Sequence, residues 1–126
     1  MSKDATLNTI PCFTIGGTVP IYSPVMLAPM AGVTDLVFRS LVRRWAPDSL
    51  ICTEMISSNG MVFSKKRDAR ILDHTEQDHP IAYQLAASRE EVLVEAAHQV
   101  IEDHNPETID LNMGCPVKKI TGNFEG

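Results

Sequence analysis

The chain has 126 residues, of which 44% are apolar and 21% are charged, and its formal net charge is −5. This composition is that of an ordinary globular domain, and the acidic balance excludes a nucleic-acid binder that relies on its own basic surface. The three irregularly spaced cysteines exclude a disulfide framework, and no apolar run reaches the roughly 18 residues that a membrane span requires.

The first 24 residues are interpreted as an N-terminal segment that precedes a domain over residues 25–126. Residues 1–10 carry Lys3 and Asp4 and lack the apolar core of a secretory signal, which predicts a cytoplasmic protein. Short β-type runs flank Gly16-Gly17, and this pattern predicts a β-hairpin.

Short apolar strands alternate with helices from Val25 onward. The predicted strands are Val25–Ala28, Leu50–Thr53, Ile81–Leu85 and Thr108–Asn112. Thr34 is the expected N-cap of the first helix, and Pro47 follows its end. One face of that helix is apolar, with residues Phe38, Leu41, Val42 and Trp45. Its arginines are expected on or near the solvated side: Arg39, Arg43 and Arg44.

The stretch between the second and third strands, Ser57–Ser64, is predicted as a loop with one helical turn, interrupted at Asn59-Gly60. Ser88 and Glu91 have the spacing of a capping box and predict the start of another helix. The predicted buried face of this helix contains Leu93, Ala96, Ala97 and Val100.

The alternation of strands and helices predicts an α/β fold with a parallel sheet. An open doubly wound sheet and a TIM (β/α)8 barrel both fit this order. No G-x-G-x-x-G motif follows the first strand, so a dinucleotide-binding sheet loses its main support. Because a TIM barrel needs roughly 200 residues or more, the four strands are interpreted as the N-terminal half of one.

Unusual residues cluster where the predicted strands end. The four strand ends lead to Pro29-Met30-Ala31-Gly32, Glu54-Met55, Gln84 and Asn112–Pro116. In a TIM barrel such ends form the active site. Small residues and prolines allow a flat ligand to approach the backbone, and amide, thioether and thiol groups suit a planar cofactor better than a metal ion or a bare phosphate.

Polar residues in apolar strands require partners when they are buried. We expect Gln84 to contact a ligand, and Glu54 to do the same or to pair with a basic residue. Asp110 and Asn112 are expected to differ in facing, so that only Asn112, which precedes the loop, points at the ligand.

The cysteines and histidines are expected to differ in role. Cys52 lies within a strand and is expected in the core, whereas Cys115 follows a strand end and is expected at the site. The histidines show no metal-ligand spacing and are expected at scattered surface positions: His74, His79, His98 and His104. No metal site is predicted.

Motifs at the strand ends resemble those of the tRNA-dihydrouridine synthases. The resemblance rests on Ala28–Asp35 (APMAGVTD), Thr53-Glu54-Met55, Gln84, Asp110–Pro116 (DLNMGCP) and Lys118-Lys119, in that family's order and spacing. It covers nearly all of the chain from about Val25 onward. The closing stretch departs from the family, because Phe124-Glu125 stands where relatives are richer in glycine and alanine.

The resemblance implies an FMN-binding TIM barrel, followed by a helical RNA-binding domain, that reduces the C5–C6 bond of uridines in tRNA. NADPH would be the reductant that reloads the flavin. Pro29, Met30 and Ala31 are implied to line the flavin ring, and Gln84 to hydrogen-bond the ring's polar edge.

The resemblance assigns Asn112 to the flavin or the substrate uracil, and Cys115 to proton donation. Hydride transfer from the reduced flavin to C6 is followed by protonation at C5. A thiol with an ordinary pKa of about 8.5 is mostly protonated at pH 7 and can act as this acid. No histidine adjoins Cys115 in the sequence, which favours an acid over a nucleophile.

Two other hypotheses stay open at this point. One is an FMN barrel enzyme that acts on a free pyrimidine, as dihydroorotate dehydrogenase does, and the other is a non-catalytic remnant. The family's later flavin and phosphate contacts and its RNA-binding domain fall beyond these 126 residues. The chain alone is therefore expected to bind FMN weakly and to be inactive, and a contact of Lys118 or Lys119 with tRNA phosphate is left open.

Overall fold

The computed structural model describes residues 11–64 and 72–114 of the chain. Within these ranges an antiparallel hairpin precedes a parallel sheet and its helices. The strands are β1 (Phe13–Ile15), β2 (Val19–Ile21), β3 (Ile51–Cys52), β4 (Ile56–Ser57), β5 (Ile81–Ala86) and β6 (Thr108–Leu111). The helices with described bounds are α1 (Leu36–Trp45), α2 (Ser58–Phe63) and α3 (Glu90–His104), and a 3₁₀ turn spans Glu76–Asp78.

The hairpin prediction is confirmed. Strands β1 and β2 pair with Ile15 opposite Val19. Gly16 and Gly17 between them have φ angles of 58° and 74°, a left-handed conformation that glycine adopts without a steric penalty.

Strand β5 is the centre of the parallel sheet. Its residue Ala82 lies opposite Cys52 of β3 and also opposite Thr108 of β6. Strands β3 and β6 therefore pair with the two opposite edges of β5. Strand β4 continues on the β3 side, where Ile56 lies opposite Leu85. The predicted α/β class and parallel sheet are confirmed, whereas the two-residue strand β4 is too short for its pattern to be detected in the sequence.

The first predicted strand, Val25–Ala28, is reduced to a single parallel bridge. Leu27 lies opposite Ile51, with its N–H donating to Leu50 O at 3.0 Å and its carbonyl accepting from Cys52 N at 3.1 Å. Prolines precede and follow this segment and cannot donate to a ladder, which limits the pairing. The expectation of a strand buried on both faces is wrong here, because Val25 is 64% exposed.

Helix α1 begins one residue later than predicted. Its N-cap is Asp35, whose Oδ1 accepts a hydrogen bond from Phe38 N at 2.8 Å, and not Thr34. The buried Thr34 hydroxyl instead accepts from Met30 N at 3.1 Å and donates to Met30 O at 3.2 Å. Thr34 therefore fixes the loop after the first bridge rather than the helix terminus.

The two expected faces of α1 are exchanged in part. Leu41 and Trp45, expected on the apolar face, are exposed, whereas Arg39 is fully buried. Phe38 and Val42 of the expected apolar face are half-buried. The Arg39 guanidinium donates to Thr34 O at 2.8 Å and forms a 2.9 Å ion pair with Asp78. The prediction of a solvated Arg39 is wrong because its counter-ion lies 39 residues later in the chain.

Arg43 is the second arginine that α1 directs toward the sheet, and its predicted solvated position is also wrong. Its guanidinium donates to Ser49 O at 2.7 Å, Asp78 O at 2.6 Å and Pro80 O at 3.0 Å. Burial lowers the pKa of Arg43, and nearby carboxylates, Asp78 first among them, oppose that shift. The side chain thus joins the segments that lead into β3 and β5. Only Arg44, the third arginine, is exposed as predicted.

Helix α2 follows β4 and helix α3 follows β5, and both helices pack against the sheet. The stretch predicted as a loop contains α2, whose N-cap Ser57 accepts from Gly60 N at 3.2 Å. Helix α3 begins after Arg89 without a side-chain cap, so the capping box of Ser88 is wrong. The Ser88 hydroxyl instead accepts from the Asn59 amide at 3.3 Å.

Apolar side chains pack on both faces of the sheet. On the helical face, β5 packs against α2 and α3 through the cluster Ile56, Met61, Ile81, Tyr83, Leu85, Ala96 and Val100. The predicted inner face of α3 is confirmed in part, since Ala96 and Val100 are buried and Leu93 and Ala97 pack at the margin. On the other face, the hairpin residue Ile21 covers Leu50, Cys52 and Ala82. The predicted core position of Cys52 is confirmed.

No described helix is long and apolar enough to cross a bilayer.

We expect Asp78→Ala to lower the free energy of unfolding by about 3 kcal/mol, because it leaves the Arg39 guanidinium buried without its counter-charge. For a domain of this size the melting temperature should fall by on the order of 10 °C, measured by circular dichroism. Asp48→Ala removes an exposed carboxylate and is the matched control. Equal melting of the two variants would contradict this role of the ion pair.

The Cys52 thiol should resist alkylation. Burial, reinforced by the negative charge of Asp110, raises the pKa of Cys52 to about 11. At pH 8 about one thiol in a thousand is then ionised, and the thiolate is the reactive form. Peptide mapping after iodoacetamide treatment should show the exposed Cys12 modified well before Cys52. Equal rates at the two positions would show that Cys52 is accessible and ionised.

Candidate functional site

Parallel pairing brings three chain segments together at the carboxyl ends of the strands. Gln84 lies in the second half of β5, and Asn112 directly follows β6. The loop after the Leu27 bridge places Pro29 and Ala31 beside them, and all four residues line one cleft. Carboxyl ends of parallel strands are where ligands of α/β sheets bind, and the structure brings these four of the predicted site residues together there.

The cleft has a volume of about 190 Å³ and is lined by Pro29, Ala31, Met55, Gln84, Asn112 and Gly114. Met30 does not belong to this lining and is 37% exposed beside it. No individual role was predicted for Met55 or Gly114, although both lie in the strand-end segments expected to form the site. The signal for Met55 was present, because it follows Glu54 at the end of the second predicted strand.

Gln84 and Asn112 belong to a chain of hydrogen bonds that begins at Asp110. Gln84 Nε2 donates to Asp110 Oδ2 at 2.6 Å, and Asn112 Nδ2 donates to Gln84 Oε1 at 3.1 Å. Asn112 Oδ1 in turn accepts from Gly114 N at 3.1 Å. We call this series from Asp110 to Gly114 the amide relay.

The expectation that Asp110 and Asn112 face opposite ways is wrong. Both side chains meet Gln84, because residues two apart in a strand point to the same face of the sheet. Gln84 itself is only 7% exposed, so its amide requires the partners that these two residues provide.

Glu54 anchors the loop that carries Pro29 and Ala31. Its Oε2 accepts a hydrogen bond from the backbone N–H of Gly32, whose φ of 73° is a conformation that favours glycine. Together with the Thr34 hydroxyl on Met30, this contact fixes the loop at both ends. The alternative pairing of Glu54 with a basic residue concerns a part of the protein beyond these residues and stays a prediction.

The expected proton donor Cys115 and the lysines Lys118 and Lys119 lie outside the described residues. The last described residue, Gly114, precedes Cys115 in the sequence and ends the amide relay.

A larger open groove of about 800 Å³ runs along α1. It is lined mainly by apolar side chains such as Val33, Val37 and Leu41. The smaller cleft is the stronger candidate site, because two side-chain amides and the small residues of two loops converge there, as specific ligand pockets require.

The amino end of β5 holds a second polar cluster, and the expectation of scattered surface histidines is wrong for His74, His79 and His104, whereas His98 is exposed as expected. Nδ1 of His104 lies 3.1 Å from Nδ1 of His74, and the Tyr83 ring stacks on His104 with centroids 5.1 Å apart. His79 Nδ1 lies 2.9 Å from Glu107 Oε1. Burial raises the pKa of Tyr83 to about 12.

Across the described ranges, no three His, Cys, Asp or Glu side chains are grouped to hold a metal ion.

Comparison with known proteins identifies relatives that share most of this chain. A probable tRNA-dihydrouridine synthase 1 of Synechocystis is 38% identical over 105 residues, which are 83% of this chain and 29% of that protein. A probable tRNA-dihydrouridine synthase of Rhodobacter capsulatus is 41% identical over 104 residues, or 82% of this chain and 32% of that protein. The tRNA-dihydrouridine synthase B of Xanthomonas campestris is 38% identical over 110 residues, or 87% of this chain and 32% of that protein.

The chain therefore spans about a third of the length of these curated relatives. The family model described as dihydrouridine synthase (Dus) matches residues 26–126. This match includes the loop at Pro29, the strand with Gln84 and the segment that contains Asn112 and Cys115. The chain belongs to the dihydrouridine synthase family.

Proposed function

We propose that the chain supplies the first part of an FMN-dependent enzyme that reduces uridine to 5,6-dihydrouridine in tRNA. The observation that carries this proposal is the convergence of the Gln84 and Asn112 amides beside Pro29 and Ala31 at the carboxyl ends of parallel strands. The relatives are named for tRNA-dihydrouridine synthesis, which supports the substrate and the reaction.

The proposed architecture is the N-terminal half of a TIM (β/α)8 barrel over residues 25–126, preceded by a segment over residues 1–24. Parallel strands with intervening helices support it. The hairpin of the N-terminal segment covers one apolar face of the sheet through Ile21. In such a barrel the amide relay lies at the end that carries the active site.

The cleft fits one part of a flavin. Pro29, Ala31 and Met55 would hold the planar ring through apolar contacts, and Gln84 and Asn112 would hydrogen-bond its carbonyl groups. At about 190 Å³ the cleft is smaller than a typical ligand pocket of roughly 300–1,000 Å³. It therefore forms one wall of the site, and the rest of the protein completes it.

Each side-chain amide of the cleft has hydrogen-bonding capacity beyond the relay. An NH2 group has two N–H donors, and the relay uses one from Gln84 and one from Asn112. The second donor of each suits a carbonyl oxygen of the flavin or of the uracil. The described lining of the cleft contains no basic side chain, so the FMN phosphate is assigned to another part of the protein. Met30 is assigned to the rim of the flavin site.

FMN held beside Gln84 and Asn112 would supply hydride chemistry, with NADPH as its reductant. Asn112 orients the uracil or the flavin through its amide. The Cys115 thiol donates the proton that C5 receives, and an ordinary thiol is protonated at neutral pH for this purpose. Pro29, Ala31 and Met55 keep water away from one side of the reacting rings.

The proposal is tested with a protein in which this chain is joined to the remaining two thirds of a relative such as the Synechocystis enzyme. We expect NADPH-dependent formation of dihydrouridine in tRNA and no turnover of dihydroorotate. Cys115→Ala should lower the rate by at least about 100-fold, the usual contribution of a general acid. The 126-residue chain alone should be inactive.

Cys12→Ala is the matched control, because Cys12 is exposed in the hairpin segment, and it should keep the parental rate. A Cys115→Ala variant with the parental rate would exclude the proposed acid. Turnover of dihydroorotate in place of tRNA would support an enzyme acting on a free pyrimidine, and loss of all activity with retained FMN would support a non-catalytic remnant.

A further inference from the structure

We propose that Asp110 is a positioning residue that sets the direction of every hydrogen bond in the amide relay. The inference rests on the proposed function, since it concerns the groups that would face the flavin and the uracil. Asp110 does not line the cleft and acts through Gln84, whose Nε2 lies 2.6 Å from its Oδ2.

The donors and acceptors of each group determine which way the hydrogen bonds run. An ionised carboxylate only accepts hydrogen bonds, so Gln84 must turn its NH2 group toward Asp110. The Gln84 oxygen then faces Asn112 and selects the Asn112 NH2 group as donor. The Asn112 oxygen is left to face Gly114 N, which can only donate.

The opposite orientation is excluded at both ends of the relay. If Gln84 were turned around, its oxygen would face the Asp110 carboxylate and its NH2 group would face that of Asn112. If Asn112 also turned, its NH2 group would face the Gly114 N–H. Because Gln84 is 7% exposed, water has little access to relieve such conflicts, and mismatched buried polar groups are costly.

The Asp110 carboxylate at one end and the Gly114 N–H at the other therefore determine which groups the cleft presents. In this orientation Gln84 and Asn112 each hold one amide N–H in the relay and one available to a ligand carbonyl. A residue that can both donate and accept at position 110 removes the stronger of these two restraints, so that a second orientation of Gln84, less suited to the ligand, becomes accessible.

The first experiment follows the relay by NMR in the 15N-labelled chain without FMN. In Asp110→Asn, we expect the side-chain amide signals of Gln84 and Asn112 to broaden or double. The Gly114 backbone amide should shift as well, although two side chains separate it from Asp110. Asp48→Asn makes the same chemical change at an exposed position and should leave all three signals unchanged.

A charge exchange tests the direction of the bonds. Gln84→Glu alone places a second carboxylate at hydrogen-bond distance from that of Asp110. Because the two like charges repel each other, this variant should have a lower melting temperature. The double variant D110N/Q84E restores a donor at position 110 and an acceptor-only group at position 84. Its melting temperature and its Gly114 amide shift should return toward the wild-type values. The double variant keeps the net charge, so it remains informative where D110N is less stable.

The outcomes separate this inference from the proposed function. If Asn112 and Gly114 signals in D110N match the wild type, or if D110N/Q84E melts no higher than Q84E, the positioning role is overturned, whatever the chain binds. If the relay signals respond as expected but the wild-type chain joined to the remaining two thirds of a relative binds no FMN, the proposed function fails and the relay stands. Where FMN binds, D110N should weaken its affinity by about twofold when the two orientations of Gln84 are equally populated, because only half of the molecules are then ready to bind.

Discussion

The pairing of β5 on both of its edges is the constraint on which the remaining structure depends. All six residues of β5 are buried, and its neighbours β3, β4 and β6 align in parallel with it. A strand buried in this way can carry a polar side chain only where partners meet it, and Gln84 finds them in Asp110 and Asn112. The same pairing therefore organises both the core and the candidate site.

The two ends of β5 have different roles. At its amino end, Arg39 and Arg43 of α1 bind the segment that contains Asp78, and this contact fixes the helix against the sheet. At its carboxyl end, the small residues of the loops leave a cleft beside Gln84 and Asn112. Buried charge thus stabilises one end, and the other end retains amide groups for a ligand. Stability and ligand binding are separated along a single strand.

Much of this arrangement follows from local sequence patterns, and the rest depends on contacts between distant residues. The strand endings alone placed Gln84 and Asn112 at one end of a parallel sheet, and the structure brings them within 3.1 Å. The burial of Arg39 was not predictable in this way, because a helical arginine is normally solvated and its partner Asp78 lies 39 residues away. The facing of Asp110 was predictable from the two-residue period of a strand, and applying that period correctly gives the observed contact.

The central claim is that the carboxyl ends of these strands form one wall of a flavin site. The most direct measurement is a titration of the 15N-labelled chain with FMN, followed by NMR. The account predicts the largest shifts at Ala31, Gln84 and Gly114, with the amides of His79 and His104 at the other end of β5 unchanged. Shifts confined to the histidine end, or none in the cleft of a folded chain at millimolar FMN, would contradict it.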